Sequence, residues 1–208
     1  MPTIDHENSL RAAGFRVVAG VDEAGRGPLA GPVCVAAVVL PEDFTHAELN
    51  DSKQLSEAKR ELLYEEITTD VRIRWHCVSI EPREIDRINI LQATWKGMRR
   101  AVMGLQPAPD AALIDGLPVK RFPVHHVALV EGDSLSFSIA AASIIAKVTR
   151  DRLMVKMARR HPQYGFESHK GYPTPAHLAA LRQHGPCRHH RMSFGPVAQR
   201  EFDFGPTP

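Results

Sequence analysis

The chain has 208 residues, 43% apolar and 24% charged, which suits a soluble globular protein with a sizeable core. It holds no apolar run long enough to cross a bilayer, its opening "MPTIDHENSL" is unlike a signal peptide, and Cys34, Cys77 and Cys187 are too scattered for a disulfide framework or a zinc ribbon, so a reducing, cytoplasmic setting is expected. Net charge is only +2, yet residues 147–208 hold eleven Lys/Arg against four Asp/Glu. Such a basic third suits a polyanionic partner, although charge count alone favours a solvated helix face.

In chain order, Arg16–Asp22 and Val33–Leu40 read as strands, being short apolar runs bounded by turn residues. "SEAKRELLYEEI" predicts a helix capped by Ser56, with Leu62, Leu63, Glu66 and Ile67 at helical spacing. Val71–Ile80 is the third predicted strand. "EPREIDRINILQATWKGMRRAVMGL" reads as one helix, with Ile85, Ile88, Leu91, Trp95 and Met98 on a stripe. Ala111–Asp115 and His125–Val130 are strands four and five. "SLSFSIAAASIIAKVTRDRLMVKMARR" is the longest predicted helix, and "TPAHLAALRQHG" has Thr174 as cap, Pro175 in its first turn and Gly185 as its stop. This order implies an α/β fold: a mixed five-stranded sheet flanked by helices. Residues 1–208 are expected to form a single domain, with about 150–197 a helical C-terminal appendage and 198–208 a flexible tail.

Carboxylates gather at strand ends. Asp22 and Glu23 close the first strand, Asp115 closes the fourth, and Asp133 follows the fifth. Ligands of open α/β sheets collect beyond such ends. Four converging carboxylates would repel, so a cation should sit among them, and all-oxygen ligation favours Mg²⁺ or Mn²⁺. Each residue also has a plainer reading. Asp115-Gly116 is a turn dipeptide, Asp133 can cap the long helix, and Asp22-Glu23 can be a solvated strand end. Periodicity leaves open whether Glu131 or Asp133 points inward. Successive residues of a regular strand face opposite sides, so either the chain bends at Asp22–Glu23 or one of them binds through its backbone. Gly25 and Gly27 let the backbone approach a ligand, and could offer hydrogen bonds to a sugar hydroxyl, the group that separates RNA from DNA. Arg26 between them could hold a phosphate. The plainer reading is a tight turn with a solvated arginine.

The motifs "GVDEAGRGPLAGPV", "NDSKQLSEAKRE", "LIDG", "GDSLSFSIAAASIIAKVTRDRLM", "YGFESHKGYPTPAHLAAL" and "HGPCRHHRMSFGPV" together resemble ribonuclease HII, the bacterial type 2 ribonuclease H, from about Val17 to Val197. The resemblance implies the ribonuclease H-like fold with a helical C-terminal part. It implies hydrolysis of the RNA strand of RNA–DNA hybrids and a cut 5′ to single ribonucleotides embedded in duplex DNA, with Mg²⁺ or Mn²⁺ and two ions once substrate is bound. The implied place is ribonucleotide excision repair. The family's acidic positions fall on Asp22, Glu23, Asp115 and Asp133, which selects Asp133 over Glu131. Its ribonucleotide-sensing turn falls on Gly25, Arg26 and Gly27, and its site tyrosine on Tyr172 rather than Tyr164. Lys53, Lys147 and Arg150 look placed for phosphate contacts. His189, His190 and Arg191 either touch nucleic acid or order the tail. "CRHH" lacks a second half with ligand spacing, so zinc is not expected.

Two rivals differ in class. A glycosidase would use paired carboxylates without metal and would want aromatic platforms, but aromatics are 6% and the Gly-Arg-Gly would stay unexplained. A non-catalytic hybrid-binding module would not need all four acids. Gln199–Phe204, "QREFDF", loosely resembles peptides that bind the replication sliding clamp, although a disordered terminus is the simpler reading. A monomer is expected.

Overall fold

The computed structural model describes residues 1–199. Gln199 is therefore the only residue of the clamp-like segment within them; Arg200–Phe204 lie outside the described residues.

Five strands form one sheet: β1 (Val18–Ala24), β2 (Val33–Val39), β3 (Arg74–Ile80), β4 (Ala111–Asp115) and β5 (His125–Leu129). Their spatial order is β3-β2-β1-β4-β5. β1–β2 and β2–β3 run antiparallel, while β1–β4 and β4–β5 run parallel. β2 is buried along its whole length, which explains why "VCVAAVV" is a continuous apolar run rather than an alternating one.

The helices are α1 (Asp5–Ala12), α2 (Glu57–Thr69), α3 (Pro82–Ile88), α4 (Ile90–Met103), α5 (Phe137–Ala158), α6 (Phe166–His169), α7 (Pro175–His184) and α8 (Gly195–Ala198). α5 and α2 join β2 in one apolar core, and α4 joins β1, β2 and β4 in another. The sheet is thus covered on both faces, as expected for the ribonuclease H-like architecture.

α5 lies close against the central strand. Ala140, Ala141 and Ala142 are fully buried, and Gly20 of β1 sits beneath Ser138, where a Cβ would collide with the helix backbone. Ser136 caps α5 by accepting from the Ile139 N–H. Ser136 also donates to Glu7 Oε1 of α1 at 2.6 Å, and the Ser138 N–H donates to the same oxygen at 2.9 Å. α1 was not expected from sequence, because its buried positions are Glu7 and Leu10, which make no apolar stripe.

The first strand runs Val18–Ala24 rather than Arg16–Asp22, and the fifth ends at Leu129 rather than Val130. Two further boundaries differ for visible reasons. The single helix predicted over residues 81–105 is two, broken at Asn89. That residue takes φ 64° and ψ 165°, a backbone conformation rare outside glycine, and caps α4 by accepting from the Gln92 N–H at 3.0 Å. The third strand starts at Arg74 rather than Val71. Asp70 holds the preceding turn, accepting from the Arg72 N–H and guanidinium.

The contact at Gly20 makes a stability prediction. Gly20→Ala should lower unfolding free energy by about 1–3 kcal/mol, since helix or strand backbone must move. Urea denaturation would measure it, and an unchanged midpoint would mean that α5 does not press on β1 as described.

Candidate active site

The sheet register assembles the site. Val21 of β1 pairs with Ile114 of parallel β4, so the next step along each strand sets Asp22 beside Asp115. Asp115 Oδ1 accepts from the Gly132 N–H at 2.7 Å, which ties the end of β4 to the turn after β5. There Glu131 takes φ 56° and stays exposed, while a 3-10 turn over Gly132–Ser134 buries Asp133 to 3% exposure. Carboxylate oxygens of Asp22, Asp115 and Asp133 lie within 4.8 Å of one another. No other group of three or more His, Cys, Asp or Glu among the described residues is so placed, and Cys187, His189 and His190 form none.

Glu23 stands beside this triad rather than in it. β1 stays paired through Glu23 and Ala24. The bend considered at Asp22–Glu23 is therefore absent, and the chain turns one residue after the strand, at Gly25 with φ 96°. Glu23 Oε1 meets Arg26 Nη1 at 3.3 Å, and its Oε2 is buried with no partner among the described residues.

Burial, reinforced by Glu23, Asp115 and Asp133, raises the Asp22 pKa well above the usual carboxylate range. Burial also raises Glu23, against the pull of Arg26. Asp133 is pushed up to about 6, burial outweighing Lys53, with Asp51 and Asp115 adding to the rise. Lys53 Nζ, 3.4 Å from Asp133 Oδ2, is the nearest ammonium. Clustered carboxylates, an orphaned buried oxygen and an all-oxygen donor set fit a hard divalent cation.

Across the cleft stands the Gly-Arg-Gly turn. A Cβ on Gly25 would collide with the Arg150 side chain, so only glycine fits there. Arg191 donates to the Gly25 carbonyl at 2.6 Å and the Arg26 carbonyl at 2.8 Å. Both carbonyls are thus held from behind, while the Arg26 and Gly27 N–H groups make no hydrogen bond among the described residues. Tyr172 is 42% exposed, its ring 3.7 Å from where a Gly27 Cβ would lie. Tyr164 is buried and donates to the Gly185 carbonyl. A cleft of about 280 Å³ is lined by Asp22, Glu23 and Asp115, by Gly25, Arg26, Gly27 and Tyr172, and by Lys53 and Lys147.

Three placements depart from the sequence reading or extend it. Arg150, expected at a phosphate, is 1% exposed, and its guanidinium donates to the Pro32, Ala30 and Lys170 carbonyls. It is part of the scaffold, because no face of the guanidinium is left open to solvent. Arg191 and His190 are likewise buried and structural. Asp51, passed over in sequence, lies beside Asp133 and caps the turn carrying Lys53 through the Lys53 N–H; the signal was the "DSK" triplet itself.

The sequence matches the family model "Ribonuclease HII" over residues 19–197. The chain belongs to the ribonuclease HII family. Ribonuclease HII of Xanthomonas campestris is 59% identical over 184 residues, 88% of this chain and 76% of that protein. That of Bacillus cereus is 50% identical over 192 residues, 92% and 74%. Among solved structures, ribonuclease H2 of Pyrococcus horikoshii superposes with TM-score 0.75 at 28% identity, covering 91% of this chain and 99% of that one. An Archaeoglobus fulgidus ribonuclease HII, solved in a complex with PCNA, gives TM-score 0.71 at 25% identity, covering 86% and 96%. This ribonuclease HII chain is thereby a metal-dependent endoribonuclease.

The raised carboxylates make the ion-free site a source of instability. Asp133 holds its proton more tightly folded than unfolded. Its stabilising contribution is therefore complete below pH ~4 and lost as pH rises through about 6. In chelator at pH 7.5, Asp133→Asn should unfold later than the parent by about 1–3 kcal/mol, and the gap should close at pH 4. Added Mg²⁺ or Mn²⁺ should raise the parent's melting temperature more than the variant's. Equal stability at both pH values would remove the argument from charge repulsion.

Proposed function

We propose that this chain hydrolyses the RNA strand of RNA–DNA hybrids. We propose further that it cuts 5′ to a single ribonucleotide embedded in duplex DNA, leaving 3′-hydroxyl and 5′-phosphate ends. One observation carries the reading: in one cleft, converging carboxylates face an exposed tyrosine and a turn with two open N–H groups. The resemblance to ribonuclease HII supports it.

Asp22, Asp115 and Asp133, with Glu23 beside them, would hold the ions. Two divalent ions, Mg²⁺ or Mn²⁺, supply activation of the attacking water and stabilisation of the leaving 3′-oxygen when bound. The chain's own groups do the selecting. The Tyr172 hydroxyl and the Arg26 and Gly27 N–H groups would contact the ribose 2′-OH. A deoxyribose there leaves them without a partner, which penalises DNA. Arg26, half exposed, and Lys53 and Lys147 on the cleft wall would hold phosphates and give affinity without sequence preference. Lys53 would leave Asp133 for a phosphate once cations occupy the carboxylates. Three carboxylates that each turn an oxygen into one 4.8 Å cluster suit a shared cation better than the two-carboxylate acid and base pair of a glycosidase, which supports the metal reading.

The same reading gives a cytoplasmic, monomeric, single-domain enzyme of ribonucleotide excision repair. A sliding clamp is the proposed partner of Gln199–Phe204, supported by the archaeal relative solved with PCNA.

An end-labelled DNA duplex with one embedded ribonucleotide tests the proposal. We expect a single cut 5′ to the ribonucleotide with Mg²⁺ or Mn²⁺, none with chelator, and none on an all-DNA duplex. Asp22→Asn should lower the rate on the order of 100-fold or more, and Tyr172→Phe on the order of tenfold. Full cleavage by Asp22→Asn would sink the carboxylate assignment. Hybrid cleavage without the embedded-site cut would sink the ribose reader.

A further inference from the structure

The C-terminal segment carries two buried histidines that the chemistry above does not use. His177 of α7 is 0% exposed and His190 is 2% exposed. Their Nε2 atoms lie 3.1 Å apart. Each uses its other ring nitrogen on backbone: the Cys187 N–H donates to His190 Nδ1 at 2.9 Å, and His177 Nδ1 is 2.9 Å from the Tyr172 carbonyl oxygen.

These three contacts admit one proton arrangement. His190 Nδ1 accepts, so a neutral His190 carries its proton on Nε2 and donates to His177 Nε2. His177 then carries its proton on Nδ1 and donates to the Tyr172 carbonyl. A second proton on either ring would set two donors face to face. Burial pushes His190 down to about 4 and lowers His177, and the neighbouring His161, His169 and His189 also disfavour a charge on the pair. His169 stacks on His177 at 4.5 Å, and Phe166 packs edge-on against it.

One residue beyond His190, Arg191 grips the Gly25, Arg26 and Gly31 carbonyls. Residues 189–191 also bridge to the loop segment leaving that turn, through Gly31 N–H to the His189 carbonyl and Arg191 N–H to the Leu29 carbonyl. Tyr172 lies at one end of the imidazole chain, and the holder of the Gly-Arg-Gly turn at the other.

We propose that His177 and His190 are positioning residues for ribose recognition: a one-way hydrogen-bond chain through two neutral imidazoles locks Tyr172 to the segment that holds Gly25 and Arg26. The inference rests on the proposed reading of the 2′-OH by Tyr172 and the turn. The pair touches no substrate and acts by fixing the spacing between the two halves of the reader. Misplacing a reacting or recognising group by an ångström is enough to cost orders of magnitude in rate.

Two measurements test it on the whole chain. Two-bond ¹H–¹⁵N spectra at pH 7 should show His177 neutral and protonated on Nδ1, with His190 neutral and protonated on Nε2. Either ring in the other tautomer, or a charged ring, overturns the chain as drawn. Second, His177→Phe keeps a ring of similar volume but removes both polar ends. It should lower kcat/KM on the embedded-ribonucleotide duplex on the order of tenfold. Within Tyr172→Phe it should lower it by less than about twofold further, because residues acting through one another are not additive. Full additivity assigns His177 a general structural role and overturns the inference alone. A Tyr172→Phe variant as fast as the parent overturns the ribose reading itself, and the inference with it. If His177→Phe fails to fold, His190→Gln takes its place in the same cycle, with the same outcomes.

Discussion

Mutual repulsion among carboxylates at one end of a buried sheet is the constraint around which the rest is arranged. Asp22, Asp115 and Asp133 stay within 4.8 Å without a charge partner equal to them. Three devices oppose their separation. The parallel β1–β4 register fixes the first two. The Gly132 N–H bonded to Asp115 fixes the turn that supplies the third. α5, seated on Gly20 and capped by Ser136, anchors the far end of that turn, and Glu7 of α1 anchors the cap. The resulting site is destabilising until cations arrive, which is a common bargain at functional sites.

Behind the opposite wall lie two buried guanidiniums, Arg150 and Arg191. Each donates to three backbone carbonyls rather than to a carboxylate. A buried charge of this kind is tolerated when its donors are satisfied, and the guanidinium fork can satisfy several carbonyls at fixed angles where an ammonium cannot. The arrangement turns the Gly25 and Arg26 carbonyls away from the cleft.

Legibility in sequence followed the range of the forces involved. The five strands were readable because each is a short apolar run with turn residues at its ends, and the carboxylates were readable because they sit where those runs stop. The break at Asn89 was hidden, since the apolar stripe continues in phase from Ile85 to Met98 across it. α1 was hidden because it buries only one apolar residue, Leu10, beside the carboxylate of Glu7. Arg150 was misplaced for the opposite reason: a basic residue on a helix near predicted phosphates looks like a phosphate ligand, and only the fold shows that three carbonyls surround it. Arg191 presented the same ambiguity, which residue type alone does not resolve.

The carboxylate half and the proposed recognising half of the cleft are built differently, and that has a physical consequence. The carboxylates are set by sheet register and by the turn after β5, so their spacing is fixed by the core of the fold. The proposed reader joins residues 25–27, 172 and 187–191, which meet through loop contacts and single helix side chains, Arg150 of α5 and His177 of α7 among them, rather than through strand pairing. Loop contacts open at lower free energy than a core sheet does. Weakening the C-terminal segment should therefore loosen the discrimination of ribose before it disperses the carboxylates. On the proposed reading, selectivity rather than the capacity for hydrolysis would be the more fragile property of this fold.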